Sequence, residues 1–319
     1  GGTSKVNIGV TPILSGGPLL LAYDKGYFRE QGLDLNLVQI TGGTDMVAET
    51  ATGHFDVGNG GIGAGIFNAF ARGIKLRVVA PVTVFNPPVA TPLLGSAQMR
   101  QKGEVNTIAD LRGRKVSIIS KGASSEFLLD SGLKRGGLTL ADVSVEVIAG
   151  AEAVAALANG VIAGGAITEP SASEAIGKDI AFVLSDDYVS NFMVIAMYLN
   201  ESFAATRRED AIGVVAALFK GGNDFNAPFT DQNVEILSRY TKVPPDTIRA
   251  ARRPFADTSG DVHQRNMEEQ QRFSVANGDT TYKDPVDLSE YVDSSIAQAA
   301  LRRLGVASAP SRGLLEVAA

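Results

Sequence analysis

Short runs of glycine, serine and threonine recur where an apolar stretch of this chain gives way to helical spacing. Residues of these types hold small anions. The first run is Thr11-Pro12-Ile13-Leu14-Ser15-Gly16-Gly17-Pro18, the second Thr41-Gly42-Gly43-Thr44 and the third Gly58-Asn59-Gly60-Gly61. Two more follow at Ser120-Lys121-Gly122-Ala123-Ser124-Ser125 and Thr168-Glu169-Pro170. Glycine permits close backbone approach, hydroxyls and free N–H groups donate, and a helix start favours negative charge. Ser15, Gly16, Gly17, Thr41, Gly43, Thr44, Asn59, Gly60, Ser120, Ser124, Ser125 and Glu169 are therefore candidate ligand contacts. A single run of this kind is equally well explained as a cap and a turn. Their joint occurrence in both halves carries the argument. Phe85 and Phe192 could stack on a planar ligand, although core packing is the more frequent use of such rings.

Neutral donors at helix starts suit a carboxylate or sulfonate, which they stabilise without a full ion pair. Glu169 modifies that expectation. Facing the ligand, it would repel a dianion and suit an amine or a ring N–H; facing away, it caps a helix ahead of Pro170. The expected ligand is a monoanionic or zwitterionic organic molecule, with an aromatic body allowed. Ser124 and Ser125 are expected to grip it from one side, with Ser15 and Thr44 opposite.

Catalytic groups are sparse. The chain has no cysteine, which excludes a disulfide framework, a zinc-thiolate site and a thiol nucleophile. Its two histidines, His54 and His263, stand far apart: His54 in a helix-to-strand turn opposite the glycine runs, His263 within a polar helix. Neither forms a triad or a metal pair. The string Gly58-x-Gly60-Gly61-x-Gly63 imitates a nucleotide loop but follows a third strand and lacks a phosphate-binding lysine. No cofactor, metal or catalytic residue is expected, so the reading is of a binding protein rather than an enzyme.

The elements that must position these runs alternate from the start. Strand-like Lys5–Val10, Leu33–Ile40, Phe55–Val57 and Leu76–Val82 are interleaved with helical Pro18–Gln31, Asp45–Ala51 and Ile62–Arg72. Pro87, Pro88 and Pro92 interrupt the pattern. A second series follows: strands Lys115–Ile119, Val143–Ile148, Val161–Ile167 and Ile180–Leu184, with helices Ser124–Lys134, Ala151–Ala158 and Ser171–Ile176. The order predicts an α/β protein with two doubly wound, mostly parallel sheets. Ligands of such sheets bind beyond the carboxyl ends of the strands. The proline stretch reads as one crossing between domains and Asn191–Leu199 as the return. The expected division is 1–86 for the first part of domain 1, 87–190 for domain 2, and 191–319 for the return and C-terminal helices packing on domain 1. The tail after Ala307 is expected to be loose.

Composition agrees with two cores. The chain has 319 residues, 45% hydrophobic, with mean hydropathy +0.08. A formal charge of −6 leaves no concentrated basic stripe, which speaks against nucleic acid. Arg252–Arg253 and Arg302–Arg303 are the densest basic pairs and read as solvated surface. No apolar run approaches the ~20 residues that span a bilayer. The chain opens at Gly1-Gly2-Thr3-Ser4-Lys5, as expected of a mature protein whose signal segment was removed and equally of a cloning remnant.

The string Ala22-Tyr23-Asp24-Lys25-Gly26-Tyr27-Phe28-Arg29-Glu30-Gln31-Gly32-Leu33-Asp34-Leu35 resembles a signature of the nitrate/sulfonate/taurine-type substrate-binding proteins of ABC importers. These are also called the NMT1/THI5-like family. Gly53-His54-Phe55-Asp56-Val57-Gly58, Ile108–Val116 and Thr168-Glu169-Pro170 resemble further family segments in family order, over about residues 5–200. One departure stands at Gly160–Ala166, where the family's acidic residue is missing. The resemblance implies a type II periplasmic binding protein, a venus flytrap with two hinge crossings, extra C-terminal helices and no chemistry of its own. It implies a small organic ligand, a membrane permease as partner, a periplasmic or extracellular location and a monomer. The alternative it carries is an enzyme of thiamine-pyrimidine or menaquinone biosynthesis on the same scaffold. The pyrimidine-making branch resembles this chain less, because it uses a cysteine-rich motif.

Overall fold

Alternating apolar and helical stretches fold into βα units exposing the carboxyl ends of the parallel strands to one side. The computed structural model describes residues 2–40 and 43–306. The first series runs β1 (Ser4–Val10), α1 (Gly17–Asp24), α2 (Tyr27–Glu30), β2 (Leu33–Gln39), α3 (Gly43–Ala51), β3 (Val57–Gly61), α4 (Ala64–Ala71) and β4 (Leu76–Phe85). The second runs β5 (Leu93–Ser96), α5 (Ala97–Gln101), β6 (Lys115–Ile118), α6 (Ser124–Lys134), β7 (Ser144–Val147), α7 (Gly150–Ala158), β8 (Gly164–Ala166), α8 (Ser171–Gly177) and β9 (Ala181–Ser185). The return strand β10 (Phe192–Asn200) precedes α9 (Glu201–Thr206), α10 (Arg208–Asn226), α11 (Asp231–Thr241), α12 (Pro245–Ala250), α13 (Gln264–Asn277) and α14 (Ser294–Arg303).

Two five-stranded sheets result, ordered β2-β1-β3-β10-β4 and β7-β6-β8-β5-β9. Each is parallel except for one strand. β10 lies antiparallel between β3 and β4, and β5 lies antiparallel between β8 and β9. In both cases the strand that completes a crossing inserts into the sheet it has just entered. The crossings run side by side: Asn86 Oδ1 accepts from the Asn191 N–H at 2.9 Å and from the Ser190 hydroxyl at 3.1 Å.

Helices cover both faces of each sheet. In the first domain α1, α10, α11 and α14 pack on one face around Leu19, Val215, Phe219 and Ile296. Helices α3, α4 and α13 cover the other around Met46, Phe67, Tyr198 and Met267. In the second domain the layers gather around Leu129 and Leu133 on one face and Val154 and Leu157 on the other.

Three sequence expectations change. Gly58-Asn59-Gly60-Gly61 is not the turn after the third strand; it is the strand, with Asn59 opposite Met197 and Gly60 opposite Ala196. The physical reason is lateral packing, since a Cβ on Gly58 would lie 2.3 Å from the Tyr198 ring and 2.4 Å from Thr50 Oγ1. Pro18–Gln31 is broken at Gly26, whose φ of +80° is the left-handed conformation glycine adopts freely. Finally, β5 and α5 occupy a stretch that proline had marked as pattern-free.

Candidate functional site

The carboxyl ends of both sheets face each other across a cleft that contains two cavities. The more enclosed, about 350 Å³, has walls from both domains. Ile13, Leu14 and Ser15 come from the turn after β1; Ile119, Ile148–Gly150, Ala153 and Ala166–Ser171 come from the turns after β6, β7 and β8. Arg252 and Pro254, beyond α12, close it. Most of this lining is aliphatic. Ile13 and Ile119, each 43% exposed, present apolar surface that a ligand could cover.

The second cavity is wider, about 660 Å³, and lies between α3, α4 and the β6–α6 turn. Gly61–Ile66 line it from the first domain and Ser120–Ser124 from the second. Here the domains touch through main chain: the Ala64 N–H donates to the Gly122 carbonyl at 2.8 Å, and Gly63 bridges Ala123.

Three polar groups define the enclosed cavity. The Ser15 carbonyl accepts from the buried Thr83 hydroxyl at 2.9 Å, which fixes the turn after β1. Glu169 is half-buried and caps α8, accepting from the Ser173 N–H at 3.1 Å and its hydroxyl at 2.9 Å. Burial pushes its carboxyl above the ordinary carboxylate range, against the lowering effect of Ser173 and the Arg252 charge. Arg252 itself is held by Asp186 at the second crossing, 2.8 Å away. Ala149 caps α7 without a side-chain hydrogen bond, and Ala149 and Gly150 at this helix start line the cavity.

The candidates therefore separate. Ser15 and Glu169 meet at the enclosed cavity; Ser120 and Ser124 line the wider one. Ser125 is buried and turned into its own loop, donating to the Ser120 carbonyl at 3.1 Å and lying 3.4 Å from the Ser120 N–H. Gly16 and Gly17 are buried by packing: a Cβ on Gly17 would sit 2.4 Å from the Phe225 ring. Gly43 and Thr44 open α3, and Thr41 lies outside the described residues, as does the tail beyond 306. Asn59 and Gly60 are strand residues; Asn59 is 1% exposed, with neither amide atom hydrogen-bonded.

Phe85 and Phe192 are buried and stack on each other, centroids 6.4 Å apart; Phe127 of α6 stacks on Phe192 at 5.1 Å. The rings form a seam between the domains. His54 is exposed beside Glu49. His263 departs from the expected polar helix: it precedes α13 at φ +52° and pairs with the buried Asp257 at 2.5 Å.

The NMT1/THI5-like family profile matches residues 15–227, two thirds of the chain. The chain belongs to the NMT1/THI5-like family. A protein of Escherichia coli K12 named for binding aliphatic sulfonates is 28% identical over 214 residues, 67% of this chain and 64% of its own length. The solved structure of the periplasmic aliphatic sulphonate binding protein SsuA from Escherichia coli matches with TM-score 0.75 at 21% identity, covering 91% of this chain and 92% of that one. The alkanesulfonate-binding protein SsuA from Xanthomonas axonopodis pv. citri, bound to MOPS, matches with TM-score 0.70 at 19% identity, covering 92% and 99%. At these identities the structural matches establish the fold, a two-domain α/β architecture. The family also reaches enzymes: a pyrimidine phosphate synthase of Schizosaccharomyces pombe is 27% identical over 150 residues, 46% of this chain and 40% of its own.

Within the NMT1/THI5-like frame, sequence reasoning overlooked two parts of the cavity. The Ile148-Ala149-Gly150 turn carries no polar side chain, so only its position after a strand could have marked it. Arg252 reads in sequence as solvated surface, yet it lines the cavity and is anchored 66 residues away. Its neighbour Arg253 is likewise engaged, donating to the Phe225 carbonyl at 2.7 Å with its guanidinium 4.0 Å from the Phe229 ring centroid.

Proposed function

We propose that this chain is the extracytoplasmic solute-binding component of an ABC importer, and that it holds a small anionic or zwitterionic organic ligand between its domains. The observation that carries this reading is the enclosed cavity of about 350 Å³, whose walls come from both domains at the carboxyl ends of their strands. A ligand seated there touches both domains, so binding favours the closed arrangement. Aliphatic walls suit a compact carbon body, and the open first turn of α7 suits a carboxylate or sulfonate.

An enzymatic role on this scaffold has less support. The sequence holds no cysteine, and neither histidine lines the two cavities. The relation to sulfonate-binding proteins also covers more of the chain than the relation to the pyrimidine synthase. No helix among the described residues is long and apolar enough to cross a membrane.

The test is native mass spectrometry of the purified protein followed by a melting screen of sulfonates, aromatic carboxylates, amino-sulfonates and pyrimidines. A true ligand at about fifty times its dissociation constant is expected to stabilise by about 2 kcal/mol and to be recovered unchanged. A chemically altered product under single-turnover conditions would overturn the reading, as would the absence of any stabilising compound.

A further inference from the structure

The enclosed cavity combines an aliphatic wall with an unusual charge arrangement, and this arrangement bears on ligand class. Arg252 is the only Lys, Arg or His side chain among its described lining residues. Asp186 already holds it at 2.8 Å. That bond uses one of the five N–H donors of its guanidinium. Glu169 also keeps unused capacity. Its two oxygens accept from the Ser173 N–H and hydroxyl, the Arg252 main chain adds a weaker contact, and a carboxylate can accept about four hydrogen bonds. The spare capacity lies where Glu169 borders both this cavity and an adjoining one of about 120 Å³ lined by Pro12, Ile13 and Val243. A carboxylate with unused acceptor capacity beside aliphatic walls is a directed acceptor, and it penalises ligands that bring a second negative charge to it.

We propose that Glu169 makes this protein selective for ligands in which an N–H-bearing group, an ammonium or a protonated ring nitrogen, is joined to an apolar body. The inference rests on the reading that the cavity is the ligand site. It assigns the carboxylate to the nitrogen end of a zwitterion, while the first turn of α7 takes the anionic end. Glu169 is then more than the cap of α8: it separates an amino-sulfonate or amino-carboxylate from its amine-free analogue.

The experiment is calorimetric titration of the full chain with matched pairs: 4-(aminomethyl)benzenesulfonate against 4-methylbenzenesulfonate, and 4-(aminomethyl)benzoate against 4-methylbenzoate. The amine member is expected to bind roughly tenfold more tightly or better, as for a hydrogen bond to a charged group. Glu169→Gln keeps an oxygen for Ser173 and is expected to erase the preference while melting normally. If that variant does not fold, Glu169→Asp, which withdraws the charge by one methylene, should shrink the ratio, and an unchanged ratio overturns the proposal. Equal or tighter binding of the amine-free member by the unaltered protein overturns it too, while leaving the binding-protein reading intact. Failure of all four compounds to bind overturns the proposal, while the cavity as the ligand site stands or falls on the melting screen and on a cavity-filling substitution.

Discussion

At the β6–α6 turn Glu126 is 4% exposed and accepts the Gly122 N–H at 2.9 Å, while Ser125 bonds back to Ser120. At the β8–α8 turn Glu169 accepts two hydrogen bonds from Ser173, lies near the Arg252 charge and borders open space. Both turns join a strand of the same sheet to a helix, and both offer serine and glutamate. They differ in whether the loop consumes its own polar groups. The first does, and so builds a rigid wall. The second leaves acceptor capacity facing the cleft. A polar turn at a strand's carboxyl end is ligand-ready only to the extent that its own backbone leaves it unsatisfied.

The largest expected effect separates the two cavities these turns serve. Ile13→Trp would fill the enclosed cavity from an exposed position and is expected to weaken ligand binding about a hundredfold, by about 2.7 kcal/mol, with little change in melting. Unchanged affinity in titration would move the ligand to the wider cavity beside Ser120–Ser124 and reverse the comparison.

A smaller effect tests the closed turn itself. Glu126→Ala leaves the Gly122 N–H without its partner and should destabilise the apoprotein by about 1–3 kcal/mol while affinity changes less than about threefold. Denaturant unfolding and titration read the two separately. Ser125→Ala should follow the same pattern more weakly, at about 1 kcal/mol of stability. A Ser125 variant that melts normally but binds tenfold more weakly would show that this turn grips ligand after all.

The pH dependence sharpens the contrast between engaged and open carboxylates. Burial opposes charge on both members of the His263–Asp257 pair, but their mutual hydrogen bond and charge, with the Ser259 hydrogen bonds to Asp257 and the Asp261 charge near His263, prevail, holding His263 above and Asp257 below their ordinary values. The histidine's contribution is complete below its unfolded pKa of about 6.5 and is lost as pH rises through the higher folded value. The aspartate's contribution is complete above about 3.9 and is lost as pH falls through the lower folded value. His263→Ala should therefore lower stability most between about pH 4 and 6.5, and the gap in melting should shrink on the alkaline side. A gap that widens there would contradict the pairing.

Much of this fold was legible because helical spacing and strand runs alternate strongly. The helix expected at Ser124–Lys134 is found at those residues, and the return strand differs from expectation by one residue at each end. Other features were hidden for definite reasons. Leu93–Ser96 is four residues long and sits among prolines, so neither length nor periodicity marks it. The glycines of β3 read as a loop because the partner that demands them, Tyr198, lies about 140 residues away. At the site, Ser15 and Glu169 could be named from turn chemistry. Ala149 and Gly150 could not, because main chain is all they offer there. Arg252 was hidden by its tertiary partner, Asp186.

The bond from Ala64 N–H to the Gly122 carbonyl joins the two domains without a side chain, and its consequence concerns time. Neither group titrates and neither has rotamers, so this latch holds equally at every physiological pH. One such bond, worth about 1 kcal/mol, slows domain opening about fivefold if it must break first. Ala64 is also the first residue of α4, a position where proline fits a helix. Ala64→Pro would remove the donor and leave the helix in place, and is expected to speed domain opening by about that factor.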